Sequence, residues 1–318
     1  MTTEHLLAGG LTPQGVHRAV VSGDLVRLRP GFYVEGSARA LPRGAKHLLN
    51  VLAADAALAS PVFSHASAAL VHGLPEWGLS LSKVAVSSGE QALRTHTTRV
   101  MKHHTVSLRG DEVCLVDGLN VTTPERTVAD IARTAGRDAG VAVADAALNS
   151  GLVTASVLDR ALEQSAGRSG IRRARAAMAL VDGRSESVAE TRSRLTFSDF
   201  GLPQPETQAN IFDPHGNRVA RVDFLWREFG VIGECDGFGK YLDGADATET
   251  RRRLGREKDR DAELVALGYR VVHWRWADLE NPRLLAERLR RGVDPPAAGA
   301  PHPPPPPPHP PPGKPPHR

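Results

Sequence analysis

Three acids near the carboxyl end of the chain sit where strands usually exclude them. Asp223 interrupts Arg221-Val222-Asp223-Phe224-Leu225-Trp226, and Glu234 and Asp236 close Val231-Ile232-Gly233-Glu234-Cys235-Asp236. Strands favour β-branched and aromatic residues on a pleated, half-buried surface, so acids there need a reason. Ten residues separate Asp223 from Glu234, enough for a hairpin that sets both on neighbouring strands. Glu234 and Asp236 are two apart and share one face. Carboxylates converging on one patch repel unless a cation lies between them, and Mg2+ or Mn2+ prefers such oxygen ligands. An ion held there polarises a phosphodiester, activates a water and stabilises the leaving oxygen. Lys240, the arginines at 251–253 and Lys258 are close enough in sequence to hold the flanking phosphates. The alternative is that the acids pair with these cations and leave a solvated sheet edge.

The elements that position these residues fill 184–292. Ser187 begins a helix that carries Glu190 and ends near Gly201-Leu202-Pro203. Strands are expected at 207–212, 219–226 and 231–236, a long charged helix at 251–267, a strand at 269–274, and a last helix capped by Asn281-Pro282. Such alternation is the signature of an α/β domain on a mixed sheet.

Residues 1–36 read as helix, turn, helix, hairpin. Thr12 N-caps a second helix with Pro13 at its first position, Val16, Ala19 and Val20 give it an apolar stripe, and Gly23 ends it. A Pro30-Gly31 turn then joins two short strands. That order predicts a winged helix-turn-helix. Gln14, His17 and Arg18 would face base edges, and Arg27 and Arg29 on the wing would meet phosphates. A small helical cap with solvated arginines is the alternative.

Residues 37–140 read as a mixed α/β unit. Helices are expected at 45–59 and 66–71, strands at 84–87 and 98–103, a strand pair around Asp117-Gly118, and a helix capped by Thr123-Pro124. Between Gln91 and Gly110 lie Arg94, Arg99, Lys102 and Arg109 with His96, His103 and His104 and no acid, a phosphate-compatible patch or a solvated face. Adjacent His103 and His104 would point to opposite faces, which argues against a shared metal. Residues 141–183 are Ala- and Arg-rich helical material, read as a connector. The tail at 293–318, with prolines at 303–308 and His302, His309 and His317 around them, cannot bury a core and is expected to be disordered.

The chain as a whole has 318 residues, 41% hydrophobic and 24% charged, with 40 Lys and Arg against 36 Asp and Glu. The tail contributes Lys314 and Arg318, so the remainder is near neutral and DNA contact must come from local patches. Two cysteines, Cys114 and Cys235, are too few for a disulfide framework or a cysteine zinc site. No leader-like segment and no apolar run of about 20 residues is present, so a soluble, cytoplasmic protein with no membrane contact is expected.

Two family resemblances follow from these motifs. Asp223, the gap, and Glu234-Cys235-Asp236-Gly237, with Ser187-Val188-Ala189-Glu190, Lys240-Tyr241 and Glu257-Lys258-Asp259-Arg260, resemble the PD-(D/E)XK nuclease core in its very-short-patch-repair-like branch. That resemblance implies a restriction-endonuclease-like fold in which Asp223 and Glu234 bind Mg2+ or Mn2+ and Glu190 supports them. The motif's lysine is Asp236 here, so Lys240 or Lys258 supplies its charge, or catalysis is lost or altered. The front half is similar to the AbiEi-type antitoxins of type IV toxin–antitoxin systems. Leu11-Thr12-Pro13, Arg29-Pro30-Gly31-Phe32-Tyr33-Val34, Ser64-His65-Ala66-Ser67-Ala68-Ala69, His72-Gly73-Leu74-Pro75 and Thr123-Pro124-Glu125-Arg126-Thr127 carry that likeness. It implies a transcriptional regulator whose partners are DNA and a cognate toxin. The expected fold is thus an α/β multidomain chain: winged helix-turn-helix, mixed α/β middle domain, and endonuclease-like α/β domain.

Overall fold

The structure is a computed structural model, and it describes residues 1–88, 96–236 and 247–293. The chain divides into two compact units, one spanning Met1–Val181 and the other beginning at Asp182. No helix among the described residues is long and apolar enough to cross a membrane. The Pro/His tail and Lys240 lie outside the described residues.

The first unit opens with α1 (Thr3–Ala8) and α2 (Pro13–Ser22), followed by the antiparallel hairpin of β1 (Leu25–Arg29) and β2 (Phe32–Glu35). Thr12 caps α2 as its sequence predicts, its hydroxyl accepting from the Gly15 N–H at 3.1 Å. Leu6, Val16, Leu25 and Tyr33 form a small core that joins helices to hairpin.

The rest of this unit is a six-stranded mixed sheet with helices. Its elements are α3 (Arg43–Asp55), β3 (Val62–Phe63), α4 (His65–Val71), β4 (Val84–Ser88), β5 (His96–Thr97), β6 (Met101–Thr105), β7 (Val113–Val116), β8 (Leu119–Thr122) and α5 (Pro124–Thr134). The strand order is β5-β6-β4-β3-β8-β7, with β4/β6 and β3/β8 parallel. Asp117 and Gly118 both take positive φ, as a two-residue turn between β7 and β8 requires. The single strand expected at 98–103 is instead a turn leading into β6. Thr98 explains the difference: its hydroxyl accepts from the Met101 N–H and its own N–H donates to the Met101 carbonyl, so a side chain competes with the ladder.

Helices α6 (Arg137–Asn149), α7 (Ala155–Gln164) and α8 (Ile171–Met178) complete the unit. Read from sequence as a connector, this segment is built onto α5, with Ala129 and Ala132 of α5 packed against Ala161, Leu162 and Ala174. Small side chains on both surfaces let the helices approach closely.

The second unit contains α9 (Val188–Asp199), β9 (Glu206–Phe212), β10 (Arg218–Trp226), β11 (Val231–Asp236), α10 (Ala247–Ala266), β12 (Arg270–Arg275) and α11 (Pro282–Val293). Its sheet runs β12-β11-β10-β9. The first three strands form an antiparallel meander, and α10 is the crossover that makes β12 parallel to β11. One sheet face buries Phe197 of α9 and Leu285 and Leu289 of α11 with Phe224, Trp226 and Trp274. The other buries Ile211, Val222 and Ile232 with Leu264 of α10.

Candidate functional site

In the second unit, α9 sets Glu190 against the sheet. Ser187 caps the helix through its hydroxyl, which accepts from the Glu190 N–H and donates to Glu190 Oε1 at 2.7 Å. Glu190 Oε2 accepts from the Glu186 N–H at 2.9 Å and from Gln208 Nε2 at 2.8 Å. The same Gln208 amide reaches Asp223 Oδ1 at 3.3 Å, and Asp223 Oδ2 accepts from the Cys235 N–H at 2.8 Å. Gln208 thus bridges two carboxylates, and it does so from a left-handed backbone with φ of 54°. Such a conformation costs a non-glycine residue about 1–3 kcal/mol and persists only where surroundings fix it. Burial raises the Glu190 pKa against its hydrogen bonds, and the nearby Asp223 charge raises it further. The structure therefore joins Glu190 and Asp223, and sequence reasoning missed the residue that joins them. Nothing in the sequence around Gln208 marks a positive φ.

Glu234 and Asp236 share a face of β11, as their spacing predicts, and α10 meets them there. Glu234 is 4% exposed, and its Oε1 pairs with Arg260 Nη2 at 3.2 Å. Asp236 Oδ2 lies 3.9 Å from His273 Nδ1, while His273 Nε2 bonds Asp261 Oδ2 at 2.8 Å. Asp236, Glu257 and His273 present ligand atoms within 4.8 Å of one another. Glu257 and Asp261 stand four apart on α10, a pattern visible in the sequence. Asp236, and then Asp261, hold His273 in its charged form and raise its pKa to about 9.

An imidazolium offers no lone pair, and Glu190, Asp223, Glu234 and Asp236 are each engaged by an N–H or a cationic group. Mg2+ demands near-octahedral oxygen ligands, so such an ion would have to displace those partners. Lys258 is exposed on α10, as is Arg252, while the side chains of Arg251 and Arg253 lie outside the described residues.

The His273 arrangement carries a pH signature. Its folded pKa lies above the ordinary value of 6.5, so the stabilisation is complete below about 6.5 and lost as pH rises through about 9. The second unit is expected to lose on the order of 1–3 kcal/mol over that window. Urea unfolding at pH 6 and pH 9.5 measures it, and His273→Asn should flatten the difference. An equal slope in parent and variant would assign the loss to another group.

In the first unit, Gln14, His17, Arg18 and Arg27 are all exposed. Positions 14, 17 and 18 stand three and four apart, so they share one face of α2, opposite the buried Val16. Arg29 departs from the expectation for the wing. The β1/β2 register shifts between Arg27 and Arg29, and this bulge turns Arg29 inward. Its guanidinium lies over Phe32 and points to the Ala53 carbonyl and Met101 Sδ. In the expected basic stretch, Arg94 lies outside the described residues, as does the His96 side chain. Arg109 is drawn onto Asp111 at 3.0 Å, whereas Arg99 and Lys102 are exposed.

Residues 62–180 match the AbiEi antitoxin C-terminal domain, a span that runs from β3 through α8. Two proteins of Mycobacterium tuberculosis align with nearly the whole chain: "Uncharacterized protein MT2308" of strain CDC 1551 / Oshkosh and "Uncharacterized protein Rv2248" of strain ATCC 25618 / H37Rv. Each is 31% identical over 287 residues, covering 89% of this chain and 98% of its own length. The chain belongs to the family of these mycobacterial proteins, and it carries an AbiEi antitoxin C-terminal domain between its helix–hairpin start and its second unit.

Proposed function

We propose that the protein is a DNA-binding regulator of the AbiEi antitoxin kind. Residues 1–36 act as a winged helix on the duplex, and the second unit serves binding rather than turnover. The observation that carries this reading is the exposed face of α2, where Gln14, His17 and Arg18 line up three and four residues apart with Arg27 on the hairpin. Amide, imidazole and guanidinium groups on one helix face suit base edges and phosphates in a major groove. The AbiEi match that follows supports a cognate toxin as a second partner.

Anisotropy titrations of duplex DNA across a salt series test the reading. Arg18→Ala and Arg27→Ala are each expected to weaken binding several-fold and to lower the slope of log K against log salt by about 1. Arg29→Ala, at a side chain turned inward, should leave that slope unchanged. Parent-like binding by both Arg18→Ala and Arg27→Ala would remove this face from the DNA contact.

One observation favours a second reading. A three-stranded meander with a helical crossover to a parallel fourth strand, with Asp223, Glu234 and Asp236 on its strands and Glu190 on α9 beside Asp223, is a scaffold suited to Mg2+-dependent phosphodiester hydrolysis. Arg260 would have to release Glu234, and Lys258 or Lys240 would supply the missing lysine. Plasmid cleavage in Mg2+ or Mn2+ that EDTA and Asp223→Ala both abolish would establish this reading. Binding without cleavage in either metal would favour the regulator.

A further inference from the structure

Away from both surfaces, the first unit carries an open cleft of about 550 Å3 with polar and apolar lining. Its lining includes Lys102 and His104 of β6, His65 at the start of α4, Arg133 of α5, and Arg168 and Arg173 around α8. At His65, Lys102 and His104 it continues into a smaller pocket of about 230 Å3 with apolar walls at Leu79, Ala85 and Ile131. Together they have the size and the mixed polar and apolar lining of a small-ligand site.

Among the described residues, the charge in this cleft is not balanced. Arg126 lies between Glu112 and Asp130, at 2.7 and 2.8 Å, and Arg133 takes the second Asp130 oxygen at 2.8 Å. Those carboxylates neutralise the cations they hold. Lys102, Arg168 and Arg173 have no carboxylate partner among the described residues, and Arg173 Nη2 donates to the Arg133 carbonyl at 2.6 Å. Arg168 Nη1 is buried and, among the described residues, lacks any hydrogen-bond acceptor. A buried guanidinium N–H left unpaired is costly, so the site wants an anionic acceptor there.

The cleft is also strained. His65 takes φ of 51°, is 8% exposed, and stacks on His104 with ring centroids 3.7 Å apart and planes 15° from parallel. Burial keeps both rings uncharged at neutral pH. The stacked, uncharged pair therefore lies at the junction of the two pockets, while Lys102, Arg168 and Arg173 provide the charge. Strain of this kind persists where surroundings over-determine it, and it clusters at ligand clamps.

We propose that this cleft binds a mononucleotide, with its phosphate monoester held by Lys102, Arg168 and Arg173 and its base directed into the apolar pocket beyond the His65–His104 stack. Guanidinium groups donate paired N–H groups to phosphate oxygens, and a lysine adds a point charge. The volume exceeds what inorganic phosphate fills.

Calorimetry and thermal shift with the full-length protein test the site, using the ribonucleoside 5′-monophosphates, inorganic phosphate and adenosine as probes. At least one 5′-monophosphate is expected to bind and raise the melting temperature, with phosphate weaker and adenosine without effect. Lys102→Ala and Arg168→Ala should each weaken that binding roughly tenfold. Lys102 is exposed, so its variant keeps the test valid if Arg168→Ala folds poorly. No response to any 5′-monophosphate would overturn the proposal, as would parent-like affinity in Lys102→Ala and a folded Arg168→Ala. Inorganic phosphate binding as tightly as the nucleotides would overturn the nucleotide assignment, and so would duplex DNA that displaces the nucleotide.

Discussion

Asp130→Ala is expected to lower the stability of the first unit by about 3–5 kcal/mol, because it takes a shared carboxylate from two largely buried guanidinium groups. Asp130 is fully buried on α5, where it accepts from Arg126 Nε and Arg133 Nη2, each at 2.8 Å. Arg126 is 3% exposed, and its other donor reaches Glu112, itself 5% exposed. Burial alone would raise the Asp130 pKa, yet neighbouring positive groups hold it below the ordinary carboxylate value. The pair arises from residues four apart on a helix, an arrangement worth a few tenths of a kcal/mol on a surface. Removing Asp130 leaves Arg126 with Glu112 alone and takes from Arg133 the carboxylate it holds at 2.8 Å, which is far more costly. Glu287→Ala is the contrast: its partner Arg283 has a side chain 80% exposed, and such surface pairs contribute well under 1 kcal/mol. Urea unfolding followed by far-UV circular dichroism reads both variants. A parent-like midpoint for Asp130→Ala would mean that water reaches Arg126.

The order of elements was largely legible because apolar periodicity and turn residues agree with the fold. Thr12, Pro13 and Gly23 delimit α2, and the acids at 223, 234 and 236 fall on the strands expected to carry them. Prediction faltered where one side chain outweighs the pattern. Thr98 replaces part of an expected strand with a turn, and the two-residue β3 is too short to show any period. The inward turn of Arg29 follows from a one-residue register shift, which flips a side chain to the opposite face. Carboxylate partners were less legible still, since they depend on which helix covers the sheet. Spacing puts Glu234 and Asp236 together, but only the packing of α10 brings Arg260 and Asp261 to that face. Gln208 shows the limit of pattern reading: its role rests on a backbone conformation that no neighbouring residue type announces.

Trp274→Ala should destabilise the second unit by about 3–5 kcal/mol, and a second substitution can show why. Trp274 is 1% exposed on β12, with its Nε1 donating to Ser193 Oγ at 2.8 Å and its ring stacked on Phe224 at 5.5 Å. Parallel pairing sets β12 beside β11, where Gly233 leaves room for the indole. A Cβ added at Gly233 would come within 2.6 Å of the Trp274 ring and 3.0 Å of Trp226. Gly233→Ala alone is therefore an overpacking change, expected to cost about 1–3 kcal/mol. The two sites share one volume, so their effects should not add: with the indole gone, the new methyl enters space that Trp274 vacated. The double variant should be more stable than the sum of the singles predicts, by about 1 kcal/mol or more. Additive losses would show that β11 shifts to relieve the clash. The same shift would displace Glu234 and Asp236, which flank Cys235 on that strand, so the cycle also reports how rigidly the acidic face is held.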